Sequence, residues 1–155
     1  MVKDFMKLAL KEAYFGMRHN HGGPFGAVIV KSGKILSKAH NQVLKNHDPT
    51  AHAEILAIQK AAKKLKKFSL RGCEIYTTAE PCPMCFSAIH WARIRKIHYG
   101  ATIADAKKAG FNELEISAKD MKKYGKSKVK IMDKVSCKEC ALPFEEYVKT
   151  NKETY

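Results

Sequence analysis

Two short groups of residues constrain this chain more than anything else in it. They are His52-Ala53-Glu54 and, 28 residues beyond Glu54, Cys82-Pro83-Met84-Cys85. Each stands where a loop enters a predicted helix, and Pro83 suits a first helical position, where its missing N–H loses nothing. Cys82 and Cys85, three residues apart, project on one side of that helix's first turn. The positive end of the helix favours thiolate over thiol. One imidazole and two thiolates suit Zn²⁺ and leave the fourth tetrahedral position for water. If all three serve one ion, the fold must bring two helix N-termini together.

Either group alone says little. Cys-x-x-Cys serves structural zinc half-sites and redox pairs, and His-x-Glu is a common triplet. Together they describe an open, catalytic metal site with one Zn²⁺ per subunit. His52, Cys82 and Cys85 are its ligands, and Glu54 lies within reach of the water without ligating. A structural site would recruit a fourth protein ligand. The other pair, Cys137 and Cys140, would overfill it, and Cys140 beside Leu142 and Phe144 reads as packing. Five cysteines, an odd number, also argue against a complete disulfide framework. Cys73 reads as buried structure.

The regular elements around these groups alternate. The spacing predicts a helix over about 3–18, then a hairpin of Ala27–Val30 and Lys34–His40 turned at Ser32-Gly33. A helix over about 51–66, a strand at 74–78, a helix at 84–93 and a strand at 96–100 follow. Beyond these, 101–115 reads as loop with a short helix, 129–135 as a strand and 138–149 as a final helix. The fold class is therefore α/β: a three-layer α/β/α arrangement with a mixed, mostly five-stranded central sheet. A length of 155 residues suits a single domain over 1–155. No apolar run approaches the roughly 18 residues of a membrane span, and the amphipathic start resembles no export signal, so a cytoplasmic location is expected.

Charge sets a further bound. Lys and Arg number 29 against 15 Asp and Glu, a net +14, yet only four of the cations are Arg. Nucleic-acid readers lean on arginine forks, so a lysine surplus reads as a solvated coat. No membrane partner is implied.

The motifs carry a family likeness. His52-Ala53-Glu54 with Pro81-Cys82-Pro83-Met84-Cys85 is the arrangement of the zinc nucleobase deaminases, and the chain resembles the cytidine deaminase superfamily, above all its short bacterial guanine deaminases. The matching stretches also include Gly23-Pro24-Phe25-Gly26, Asn46-His47-Asp48-Pro49-Thr50, Trp91-Ala92-Arg93 and Ala109-Gly110-Phe111. The resemblance implies hydrolytic deamination of a free purine base, guanine to xanthine and ammonia, with Glu54 moving the protons. It places Asn41, Phe25 and Trp91 around the base. It also puts Glu113 where the family usually has Asp, to read the guanine N1–H and 2-amino edge. Finally, it implies a homodimer in which a segment of about 136–155 swaps between subunits, so that Tyr155 closes the partner's pocket. A tRNA adenosine deaminase shares the same core motifs and is the competing expectation, as is a deaminase of another free base or nucleoside. Gly110-Phe111, where that group has Gly-Ser, weighs against tRNA.

Overall fold

The Ser32-Gly33 turn sets the topology. In the computed structural model, which describes residues 1–155, φ is +48° at Ser32 and +75° at Gly33. Two successive positive values make the tight turn that matches strand twist. It joins β1 (Gly26–Lys31) to β2 (Lys34–His40) in antiparallel register. On its other side β1 pairs antiparallel with β3 (Cys73–Ala79). Then β4 (Lys96–Ala101) and β5 (Lys130–Met132) continue in parallel, giving the order β2-β1-β3-β4-β5. The expected mixed five-stranded sheet is what the chain forms.

Helices cover both faces. On one lie α3 (Ala53–Leu65), α4 (Pro83–Trp91) and α6 (Ala118–Tyr124); on the other lie α1 (Val2–Arg18), α5 (Ile103–Lys108) and α7 (Cys137–Lys149). A four-residue helix, α2 (Val43–Asn46), lies between β2 and α3. Alternation along β1 sends Ala27 and Ile29 to the first face and Val28 and Val30 to the second. Both sides are buried, which is why the strand reads as a continuous apolar run. Ala57, Ala61, Phe86 and Ile89 pack over the first face, and Met6, Met17, Phe144 and Tyr147 over the second. Gly26 lets α1 lie directly on β1, since a Cβ there would stand 2.0 Å from the Ala9 carbonyl oxygen.

Besides the short α2, which the spacing does not predict, two elements depart from expectation. The strand expected over 129–135 is only Lys130–Met132, paired with Lys96–His98. Beyond it Asp133 turns away to Lys119 at 2.5 Å, and Lys134 takes a positive φ of +56°. The other is α6, unanticipated because its start is set from a distance: the Glu80 carboxylate accepts the Ala118 N–H at 2.8 Å and the Ile103 N–H at 3.2 Å. Ser117 caps it locally, accepting the Asp120 N–H. Cys73 and Cys140 are buried and Cys137 is exposed. Cys140 packs on Gly100, where a Cβ would stand 2.2 Å from its Sγ. No helix is long and apolar enough to cross a membrane.

Candidate active site

The crossover from β3 into α4 and the entry into α3 meet at one end of the sheet. His52 is the N-cap of α3 and Cys82 the N-cap of α4, both with extended backbone, and Pro83 occupies the first turn of α4. The three donor atoms converge. Cys82 Sγ lies 3.7 Å and Cys85 Sγ 3.5 Å from His52 Nδ1, and all three atoms fall within 4.8 Å of one another. A tetrahedral zinc with N and S bonds of about 2.1 and 2.3 Å requires an N···S separation of about 3.6 Å. The side chains are therefore already spaced for the ion, and among His, Cys, Asp and Glu only this group converges in such a way.

Electrostatics match the geometry. The thiol of Cys85, a neighbour that hydrogen-bonds to it, holds Cys82 down at about 4 against the cost of burial, and His52 assists. Cys85 is pushed the other way, by its bond to Cys82 and by its own burial. Burial works against a charged His52, but its bond to Cys82 and the charge of Glu54 outweigh it and raise its pKa. Glu54 is buried, and desolvation raises its pKa although His52 opposes. Thr77 Oγ1 donates to Glu54 Oε1 at 3.3 Å and anchors the carboxylate to β3.

A cavity of ≈ 330 Å³ opens on these groups, and Phe25, Phe111, Glu113 and Tyr155 form part of its wall. Phe25 and Phe111 meet edge to face at 5.0 Å. Burial is the main reason that Glu113 is pushed up to about 7, with the negative charge of Cys82 adding to it. The Tyr155 hydroxyl donates to Asn41 Oδ1 at 2.5 Å and accepts the Gly23 N–H at 2.8 Å. Its carbonyl takes the Asn112 N–H, and its ring stands edge-on to Phe111. Burial raises the pKa of this phenol, so it stays a neutral donor.

Of the nine residues expected at the site, six line this cavity, His52, Glu54, Cys82, Phe25, Glu113 and Tyr155, and Cys85 converges on His52 beside it. Asn41 lies behind Tyr155 rather than on the wall, its Oδ1 taken by that hydroxyl and by the Val43 N–H. Trp91 does not line this cavity within its own chain. It ends α4, about 13 Å along the axis from Cys82 at 1.5 Å per residue, and it is 79% exposed on a different part of the surface. The segment 136–155 packs on its own chain here, with the Tyr155 hydroxyl accepting the Gly23 N–H. Glu80, which borders the cavity and ties down α5 and α6, was not foreseen; an acidic residue just before Pro81-Cys82 was the available signal.

Three ligands and an open coordination position, with a buried carboxylate beside them, equip a site to direct water onto a ring carbon that bears an amine. That is the class of zinc-dependent hydrolytic deaminases. Comparison with known proteins gives the family. The chain belongs to the cytidine and deoxycytidylate deaminases, whose zinc-binding region matches residues 1–101. It is 50% identical over 109 residues to the guanine deaminase of Bacillus subtilis, covering 70% of each protein. It is also 50% identical over 97 residues to a tRNA-specific adenosine deaminase of Aquifex aeolicus, covering 63% of this chain and 64% of that one. A solved guanine deaminase from Nitrosomonas europaea superposes with a TM-score of 0.87 at 27% identity, over 95% of this chain and 84% of the other.

Proposed function

We propose that the substrate is a free purine base, guanine, converted with water to xanthine and ammonia. The observation that carries this reading is the small cavity beside the ligands and what lines it. Tyr155 and Phe111 border it, and a buried carboxylate, Glu113, faces the zinc ligands across it. Its volume sits at the small end of ligand pockets, suited to a base without a polymer attached. A carboxylate accepts from two ring donors of guanine and is mismatched to adenine, whose N1 is itself an acceptor.

Bound zinc supplies a Lewis acid that brings the pKa of water toward about 7. His52, Cys82 and Cys85 hold it. Glu54 takes a proton from the attacking water and returns it to the departing amine. A C–O bond forms and a C–N bond breaks, with no change in oxidation state. Glu113 orients the base by its N1–H and 2-amino edge, Phe25 and Phe111 flank the ring, and Tyr155, held from behind by Asn41, borders the remaining side. The equal identity to a tRNA-specific adenosine deaminase supports a second reading, adenosine in RNA. A polynucleotide would need room beside Tyr155 to bring an extruded base into the cavity.

The lid is testable by Tyr155→Ala. It should retain one zinc per chain and its fold, while kcat/KM for guanine falls by at least tenfold. Unchanged guanine turnover would contradict the closed-pocket reading. The same variant, measured by analytical ultracentrifugation, also tests the proposed exchange of residues 136–155, since an exchanged dimer held by this docking should weaken.

A further inference from the structure

Glu80 stands between the metal ligands and the part of the cavity wall that faces them. It follows the last residue of β3, and its N–H donates to the Ala101 carbonyl at 2.8 Å. Pro81 alone separates it from the ligand Cys82, and a proline fixes the backbone at that link. The two carboxylate oxygens then serve different partners. Oε2 accepts the Ile103 N–H at 3.2 Å, and Oε1 accepts the Ala118 N–H at 2.8 Å. These amides belong to the first residues of α5 and α6, so one side chain fastens both ends of the stretch between them.

That stretch has little else to fix it. Residues 109–117 form neither helix nor strand, yet they carry Phe111 and Glu113 of the cavity wall. The Glu113 N–H reaches only as far as the Phe111 carbonyl, at 2.9 Å. Burial and charge, and no hydrogen bond, act on the Glu113 carboxyl, so its place follows from its backbone. The end of the chain rests on the same stretch. The Asn112 N–H donates to the Tyr155 carbonyl at 3.0 Å, and Gly110, with φ of +98°, leaves room for Thr154, whose Oγ1 would stand 3.3 Å from a Cβ there. Glu113 and Tyr155 therefore share one support, and Glu80 ties that support to the metal helix.

We propose that Glu80 is a positioning residue for base selection: by holding residues 103 and 118 together it sets Glu113 at its working distance from the zinc ligands. This rests on the guanine reading, because the contact that Glu80 sets is the one Glu113 makes with the N1–H and 2-amino edge. A carboxylate suits the task because it offers two acceptor oxygens and no donor. Glutamine keeps the length but has one oxygen, so one of the two N–H groups is left facing an NH₂. Aspartate keeps both oxygens and the charge but is one methylene shorter, so it cannot span both amides. The two substitutions thus separate reach from charge.

The test is guanine kinetics of the zinc-loaded chain carrying Glu80→Gln or Glu80→Asp, each alone and combined with Glu113→Gln. Alone, each should keep one zinc per chain and raise KM for guanine at least about tenfold, with kcat changed by less than about threefold, since a displaced binding group is lost binding. In the Glu113→Gln background the same substitutions should change kcat/KM by less than about threefold, the non-additivity of residues that act through one another. An equal loss in both backgrounds, or a loss in kcat with KM unchanged, would overturn the proposal and leave Glu80 a general brace of the fold. Parental kinetics in Glu80→Asp beside a defective Glu80→Gln would overturn it as well, since charge and not reach would then matter. If Glu80→Gln fails to fold, the Glu80→Asp cycle decides alone; loss of zinc from both variants would assign Glu80 to the metal site and contradict the proposal. A parent inert toward guanine sinks the guanine reading and this inference with it, whereas an active parent with Glu80 and Glu113 uncoupled sinks this inference only.

Discussion

A single carboxylate separates a zinc site that holds metal from one that turns over. Glu54 is buried, held by Thr77 and two residues from His52, yet it is not among the three converging ligands. Glu54→Gln keeps the size and hydrogen-bonding shape and loses the proton carrier. It should bind one zinc per chain, measured by elemental analysis, and lose about 10²–10⁴-fold in kcat, the range for one general acid–base group. Near-parental turnover would remove Glu54 from the mechanism. The residue scale also shows what motif reading places. His52, Cys82 and Cys85 are legible because they sit at two helix N-termini in short motifs, Cys82 and Cys85 three residues apart and His52 two residues before Glu54, so local geometry nearly fixes each group. Trp91 shares α4 with two of these ligands, but about 13 Å of helical rise at 1.5 Å per residue takes it away from the cavity.

Between elements, one ion network fastens the first helix to the edge strand. Glu12 on α1 accepts from His40 at 3.1 Å and from Lys38 at 2.9 Å, both on β2. The His40 hydrogen bond is the main reason that the carboxyl is held down to about 2, against the cost of burial and with help from Lys38. A depressed carboxyl stabilises the fold above its unfolded pKa, and that contribution is lost as pH falls from about 4.5 to about 2. The full shift corresponds to up to about 3 kcal/mol. Glu12→Gln should therefore be less stable than the parent near neutral pH, by urea unfolding, with the gap closing as pH approaches about 2.5. A gap independent of pH would show that the carboxylate charge contributes nothing. The network also fixes His40, the residue before Asn41, and Asn41 in turn accepts the Tyr155 hydroxyl that borders the cavity.

The whole molecule was legible in outline. Alternating apolar spacing and turn chemistry gave the hairpin, α1, α3, β3, α4 and β4, because these elements are fixed by local pattern. Less of the last third was legible. There β5 is cut to three residues by the turn of Asp133 toward Lys119, and α6 is anchored by Glu80 from 38 residues away. Such links are set by tertiary contact and leave no periodic trace. The same holds for Tyr155, whose place in the cavity depends on Gly23, Asn41 and Asn112 together. The family and zinc chemistry follow from motifs; the choice of base rests on Glu113 and Tyr155 in three dimensions.

The central claim is that this pocket takes a free purine and excludes a polymer. The most direct test is ammonia release by the zinc-loaded chain, with kcat/KM compared for guanine, adenine and a tRNA anticodon stem-loop carrying adenosine. Guanine should be turned over, adenine at least 10²-fold less well, as expected for a site built around hydrogen bonds its competitor cannot make, and the stem-loop not at all. Deamination of the stem-loop with guanine inert would contradict the account.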